Sequence, residues 1–185
     1  MAGLDEVGRG PLAGPLVASA VLLHRPCLNV LIDDSKCLTP EAREMAYRAI
    51  LPCADIGVGF VVPEEIDRIG IHRATALAML RALRRLPVPP TLLLIDGPWV
   101  PGGCPVDALP IIDGDAKSFH IAAASIVAKV IRDRMMVRLH TILPEYGFLR
   151  HKGYGTPEHL GALRAIGASS FHRFSFRPVS QLLAK

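Results

Sequence analysis

A chain of 185 residues suits one domain, and half of its residues are hydrophobic while only 5% are aromatic, which excludes a disordered polymer and points to a core of Leu, Ile, Val and Ala. The net charge of +4 is unevenly placed: residues 1–116 hold 10 Lys and Arg against 14 Asp and Glu, and residues 117–185 hold 11 against 3. An acidic first part joined to a basic last part suggests an anionic site beside a polyanion track, although a solvated basic surface has the same composition.

The first predicted strand, residues 2–7, ends in the adjacent acids Asp5 and Glu6, and a second strand follows at residues 16–23. Gly8-Arg9-Gly10-Pro11 reads as the turn of a hairpin between them. Thr39 and Pro40 are an N-cap and a first helical residue, and that helix runs to about Leu51. Residues 55–62 read as a strand, Pro63 opens a short helix, and residues 73–86 form an amphipathic helix ended by prolines. Residues 91–95, apolar after Thr91, read as a buried strand that delivers Asp96 at its carboxyl end. A short strand at 109–112 precedes Asp113-Gly114-Asp115, and residues 119–143 form the longest helix, alanine-rich in its first half. Short helices and turns complete the chain. Strands and helices intermixed after a hairpin predict an α/β layer with a mixed sheet. Residues 1–143 are expected as the core and 144–185 as a small extension.

The four cysteines form no C-x-x-C pair, so they read as reduced thiols rather than a zinc site. Residues 11–23 are apolar but too short for a bilayer, and the acids before them are the wrong charge for a signal peptide. A cytoplasmic monomer is the expectation.

Four acids hold special places: Asp5, Glu6, Asp96 and Asp115. Ligands bind at the carboxyl ends of strands in open α/β sheets. Oxygen donors without His or Cys favour Mg²⁺ or Mn²⁺, and two such ions suit phosphodiester hydrolysis. For Asp115 an ordinary turn is equally consistent with "DGD". On the long helix Ser125, Lys129 and Arg132 share one face, with Asp133 turned further round; that stripe meets the site's edge or backbone phosphates, or is a plain salt-bridged helix face.

Five ordered blocks, "GLDEVGRGPLAGPLVASAV", "DDSKCL", "LLLIDG", "GDAKSFHIAAASIVAKVIRDRMM" and "YGFLRHKGYGTPEH", resemble bacterial type 2 ribonuclease H, ribonuclease HII, from residue 2 to 179. The resemblance implies a ribonuclease H-like fold: a mixed five-stranded sheet flanked by helices, with a small C-terminal helical extension. It implies cleavage of RNA in RNA–DNA hybrids and nicking of duplex DNA 5′ to an embedded ribonucleotide, leaving 3′-hydroxyl and 5′-phosphate ends. Asp5, Glu6, Asp96 and Asp115 would be the catalytic acids holding two Mg²⁺ or Mn²⁺ ions. Gly8, Arg9 and Gly10 would read the 2′-hydroxyl and neighbouring phosphate, Tyr154 would pack on the adjacent sugar, and Lys36 would contact a phosphate. His151 and Lys152 add positive charge near Tyr154, and His159 and His172 are expected as surface or structural residues. The chain departs from the family pattern at Gly70, where members often carry an Asn used on a phosphate, so that contact is either missing or replaced by His72 or Arg73.

Overall fold

The computed structural model describes residues 1–25 and 38–183; Lys36, Cys27 and Cys37 lie outside the described residues. Five strands form one mixed sheet: β1 (Ala2–Val7), β2 (Leu16–Leu23), β3 (Ala54–Val61), β4 (Leu93–Asp96) and β5 (Ala108–Ile111), in the order β3-β2-β1-β4-β5. The first three pair antiparallel, whereas β4 runs parallel to β1 and β5 parallel to β4. The predicted hairpin is present, but residues 8–15 connect its strands, a longer link than the four-residue turn expected. Strand β4 begins at Leu93 rather than Thr91 and includes Asp96.

Helix α1 (Pro40–Ile50) starts as its sequence dictates, with the Thr39 hydroxyl accepting from the Ala42 amide. Helices α2 (Pro63–Ile69) and α3 (Ile71–Leu83) cover one sheet face, where Ile66, Ala74, Ala78 and Met79 pack on Leu4, Leu16, Leu93 and Ile95. Gly70 joins them at φ 79° and ψ 154°, a backbone conformation that side-chain-bearing residues rarely adopt.

Asp113-Gly114-Asp115 is not a simple turn: Asp113 is left-handed at φ 53°, and Gly114 starts the single-turn α4 (Gly114–Lys117). The long α5 (Phe119–Ile142) covers the other face together with α1. Its alanines let it lie close to the sheet, close enough for the Ser19 hydroxyl to donate to the Ala124 carbonyl at 2.7 Å.

After α5 come α6 (Phe148–His151), α7 (Pro157–Ile166) and α8 (Arg177–Leu183). A third apolar cluster joins Tyr146, Phe148, Leu163 and Val179 to Met136 of α5 and to Leu12 and Ala13 of the 8–15 link. The chain's last part therefore packs against the segment that follows Asp5 and Glu6. Among the described residues no helix is long and apolar enough to cross a membrane.

Candidate active site

Parallel register sets the site. Leu4 of β1 lies opposite Ile95 of β4, so Asp5 and Asp96, the next residues on each strand, emerge side by side at one end of the sheet. Asp5, Glu6 and Asp96 line a cleft of about 500 Å³ with Gly8, Arg9, Gly10, Ser125, Lys129 and Tyr154. Asp5 is only 5% exposed. Its carboxyl is pushed well above the usual range, first by burial and then by the charges of Glu6 and Asp96; bonds from Ser125 and the Glu6 amide partly offset this. Glu6 is also raised, mainly by burial and with a contribution from Asp96, against the lowering pull of Arg9.

Each acid is tied to a neighbouring donor. Asp5 accepts from the Glu6 amide at 2.7 Å, Glu6 from the Arg9 guanidinium at 3.3 Å, and Asp96 from the Gly114 amide at 2.7 Å. Asp115 accepts from the Ala116 amide at 3.1 Å. It is buried one residue beyond Gly114, whose amide bonds Asp96, and it does not line the cleft. Among the described residues no three His, Cys, Asp or Glu side chains are drawn together tightly enough to hold a metal ion. The donor set is nonetheless of hard-ion chemistry: carboxylates without His or Cys, two of them raised first by burial and then by neighbouring acids.

The 8–15 loop is held by two buried arginines. Arg132 of α5 donates from Nε to the Pro15 carbonyl at 3.0 Å and from Nη2 to Ala13 at 3.3 Å. It is fully buried, so of the predicted stripe only Ser125 and Lys129 reach the cleft, and Lys129 also pairs with Asp133 at 2.8 Å. Arg173 bonds the carbonyls of Gly8 at 2.6 Å, Arg9 at 3.0 Å and Gly14 at 2.9 Å. Gly8 holds φ 95°, and a Cβ there would strike Arg132. Sequence reasoning passed over Arg173, which carries no local signal because its partners lie some 160 residues away.

Tyr154 is 44% exposed and its ring faces Gly10 across the cleft. The segment beneath it is bound to the loop: Leu12 donates to the Gly153 carbonyl at 2.8 Å, and Arg173 to that of Leu12 at 2.8 Å. His159 and His172 are fully buried, which corrects the surface half of their expectation: the apolar C-terminal cluster encloses them.

The family model for ribonuclease HII matches residues 2–179. A ribonuclease HII of Geobacillus kaustophilus is 51% identical over 184 residues, covering 99% of this chain and 70% of that protein. The crystal structure of the ribonuclease H2 from Pyrococcus horikoshii superposes with a TM-score of 0.83 at 26% identity, covering 97% of this chain and 95% of the other. Bst-RNase HIII, solved in complex with Mn²⁺, shares the fold at a TM-score of 0.77 and 23% identity, covering 98% of this chain and 68% of that one. The chain thus belongs to the ribonuclease HII family and is an endonuclease of the ribonuclease H type.

Proposed function

We propose that the protein hydrolyses the RNA strand of RNA–DNA hybrids and nicks duplex DNA on the 5′ side of an embedded ribonucleotide, leaving 3′-hydroxyl and 5′-phosphate ends. One observation carries this reading: Asp5, Glu6 and Asp96 share a single cleft with the Gly8-Arg9-Gly10 loop and Tyr154. An acid cluster alone suits any nuclease of this fold. The glycine-flanked loop and the aromatic ring add what discrimination of one sugar hydroxyl requires, close backbone approach and a flat apolar platform.

Asp5, Glu6, Asp96 and Asp115 are the residues that would hold two divalent ions, Mg²⁺ or Mn²⁺, and such ions supply an activated water and stabilise the departing oxygen. Glu6 would leave Arg9, and Asp96 the Gly114 amide, to join such a set. The Arg9 guanidinium, half exposed at the cleft, is then available to the phosphate beside the ribonucleotide. Arg132 and Arg173 hold the loop's carbonyls, so its shape is set before substrate arrives.

A second cleft, lined by Arg43, Glu44, Asp133, Arg134, Arg138 and Lys152, adjoins the first across the Lys129–Asp133 pair. Its excess of positive charge suits a duplex backbone running along α5. Lys36, outside the described residues, is a further phosphate contact in this reading. In this reading residues 144–185 are an extension on a core of 1–143, and the protein acts as a cytoplasmic monomer.

The test is cleavage of two otherwise identical duplexes, all-DNA or with one ribonucleotide, in Mg²⁺, in Mn²⁺ and with chelator. Cutting should occur only at the ribonucleotide and only with metal. Equal cutting of the all-DNA duplex would overturn the reading.

A further inference from the structure

Behind the loop that carries Tyr154, three buried histidines pack with Tyr146 and Phe148: His151 stacks on His159 with ring centres 4.5 Å apart, and His172 lies 4.7 Å from Tyr146. Backbone partners fix where their protons sit. The Ser169 amide can only donate, and it reaches Nδ1 of His172 at 3.0 Å, so that nitrogen is bare. The Ser169 hydroxyl, 2.9 Å away, takes a bond from the Phe171 amide and can itself donate to the same nitrogen. The proton of neutral His172 is therefore on Nε2, which faces Nε2 of His159 at 3.0 Å. His159 accepts there and carries its own proton on Nδ1, 2.9 Å from the Tyr154 carbonyl, which can only accept. His151 completes the support, accepting from the Gly153 amide on Nδ1 at 3.2 Å and facing the Tyr146 carbonyl with Nε2 at 2.8 Å.

The chain of bonds closes only when His159 and His172 are both neutral. A proton added to His159 would set two N–H donors against each other between the rings, across 3.0 Å, and one added to His172 would set its Nδ1–H against the Ser169 amide. Burial keeps them neutral, moving His172 down to about 4 and lowering His159 as well. Of the other groups around them, His151 opposes a further charge and Glu158 on α7 favours one; Arg173, beside His172 in the chain, points its guanidinium at the loop carbonyls.

We infer that His159 and His172 are positioning residues whose tautomer-locked relay, running from Ser169 to the Tyr154 carbonyl, sets the ring of Tyr154 for the sugar at the ribonucleotide. The inference rests on the reading that Tyr154 meets substrate.

Two measurements test it. Long-range ¹H–¹⁵N spectra at pH 7 should show His172 as the Nε2–H tautomer and His159 as the Nδ1–H tautomer; reversed tautomers overturn the relay without reference to activity. Steady-state cleavage of a single-ribonucleotide duplex should show His172→Gln raising KM about fivefold with kcat within about twofold. In a Tyr154→Ala background the same substitution should change KM less than about twofold. Equal KM effects in both backgrounds overturn the inference and leave the role of Tyr154 standing. If Tyr154→Ala alone leaves KM at the wild-type value, the reading of Tyr154 falls and the inference falls with it.

Discussion

Asp5 and Arg173 are both buried and both serve the 8–15 loop's end of the molecule, yet they meet burial in opposite ways. Arg173 is surrounded by acceptors: the carbonyls of Gly8, Arg9 and Gly14 converge on its guanidinium, and burial still draws it down to about 9. Asp5 is surrounded by its own kind: burial raises its proton affinity first, and Glu6 and Asp96 raise it further. The first arrangement satisfies a buried charge with fixed dipoles and so holds structure. The second gathers acids in one cleft, their charge only partly offset by Ser125, the Glu6 amide and Arg9, as expected of a site kept ready for a cationic ligand. Burial alone does not distinguish a structural charge from a functional one; the company it keeps does.

The sharpest way to break this contrast is to neutralise an acid. Asp96→Asn should cut turnover on a single-ribonucleotide duplex by roughly a thousandfold, about 4 kcal/mol on the barrier, while its melting temperature stays at or above wild type. A variant that retains near wild-type turnover would place the chemistry elsewhere. The opposite outcome is expected at the other region. Arg173→Met should lower stability by about 3 kcal/mol, because three carbonyls lose their donor, and denaturant titration checks it. A stability loss smaller than that of a surface arginine would show that the carbonyls find other partners.

The loop between the two regions gives an intermediate effect. Gly8→Ala places a Cβ against Arg132 at a φ of 95° and should cost about 2 kcal/mol. It should also raise KM for the ribonucleotide duplex, since the loop must shift to accommodate it. Thermal melts and steady-state cleavage of one sample separate the two effects.

The elements nearest the acids were legible because local rules govern them. The apolar run before Asp96 is a buried strand, Thr39-Pro40 is a helix start, and the alanines of α5 mark close approach to a sheet. The acids themselves stood out because adjacent charges at a core edge need a reason. The buried side chains that hold the 8–15 loop and Tyr154 were not legible. Arg132 fell on a helical stripe with Ser125 and Lys129, but a stripe argument assumes that one face meets solvent, and half of α5 is buried. Arg173, His159 and His172 sit in a short-helix region where the sequence left the two histidines open between surface and structural roles. Arg173 and His159 bond carbonyls of the 8–15 loop and of Tyr154, and His172 bonds His159 and the Ser169 amide; backbone partners leave no mark in a residue pattern.

The two regions should also titrate against each other, with the smallest effect of the set. Asp5 has a raised carboxyl in the folded state, so the fold binds its proton more tightly than the unfolded chain does. Its destabilising influence is full above the raised value and disappears below the ordinary carboxyl range, so this group makes the fold more stable as pH falls. His172, lowered to about 4, does the reverse: the unfolded imidazole takes a proton below about 6.5 that the fold refuses, so stability is lost as pH falls from there toward 4. Asp5→Asn removes only the first influence. It should stabilise the protein by about 1 kcal/mol at pH 8, and the advantage should shrink steadily as melts are repeated toward pH 4. An advantage that grows in acid would mean that Asp5 is content as an anion in its cleft, and the contrast with Arg173 would lose its basis.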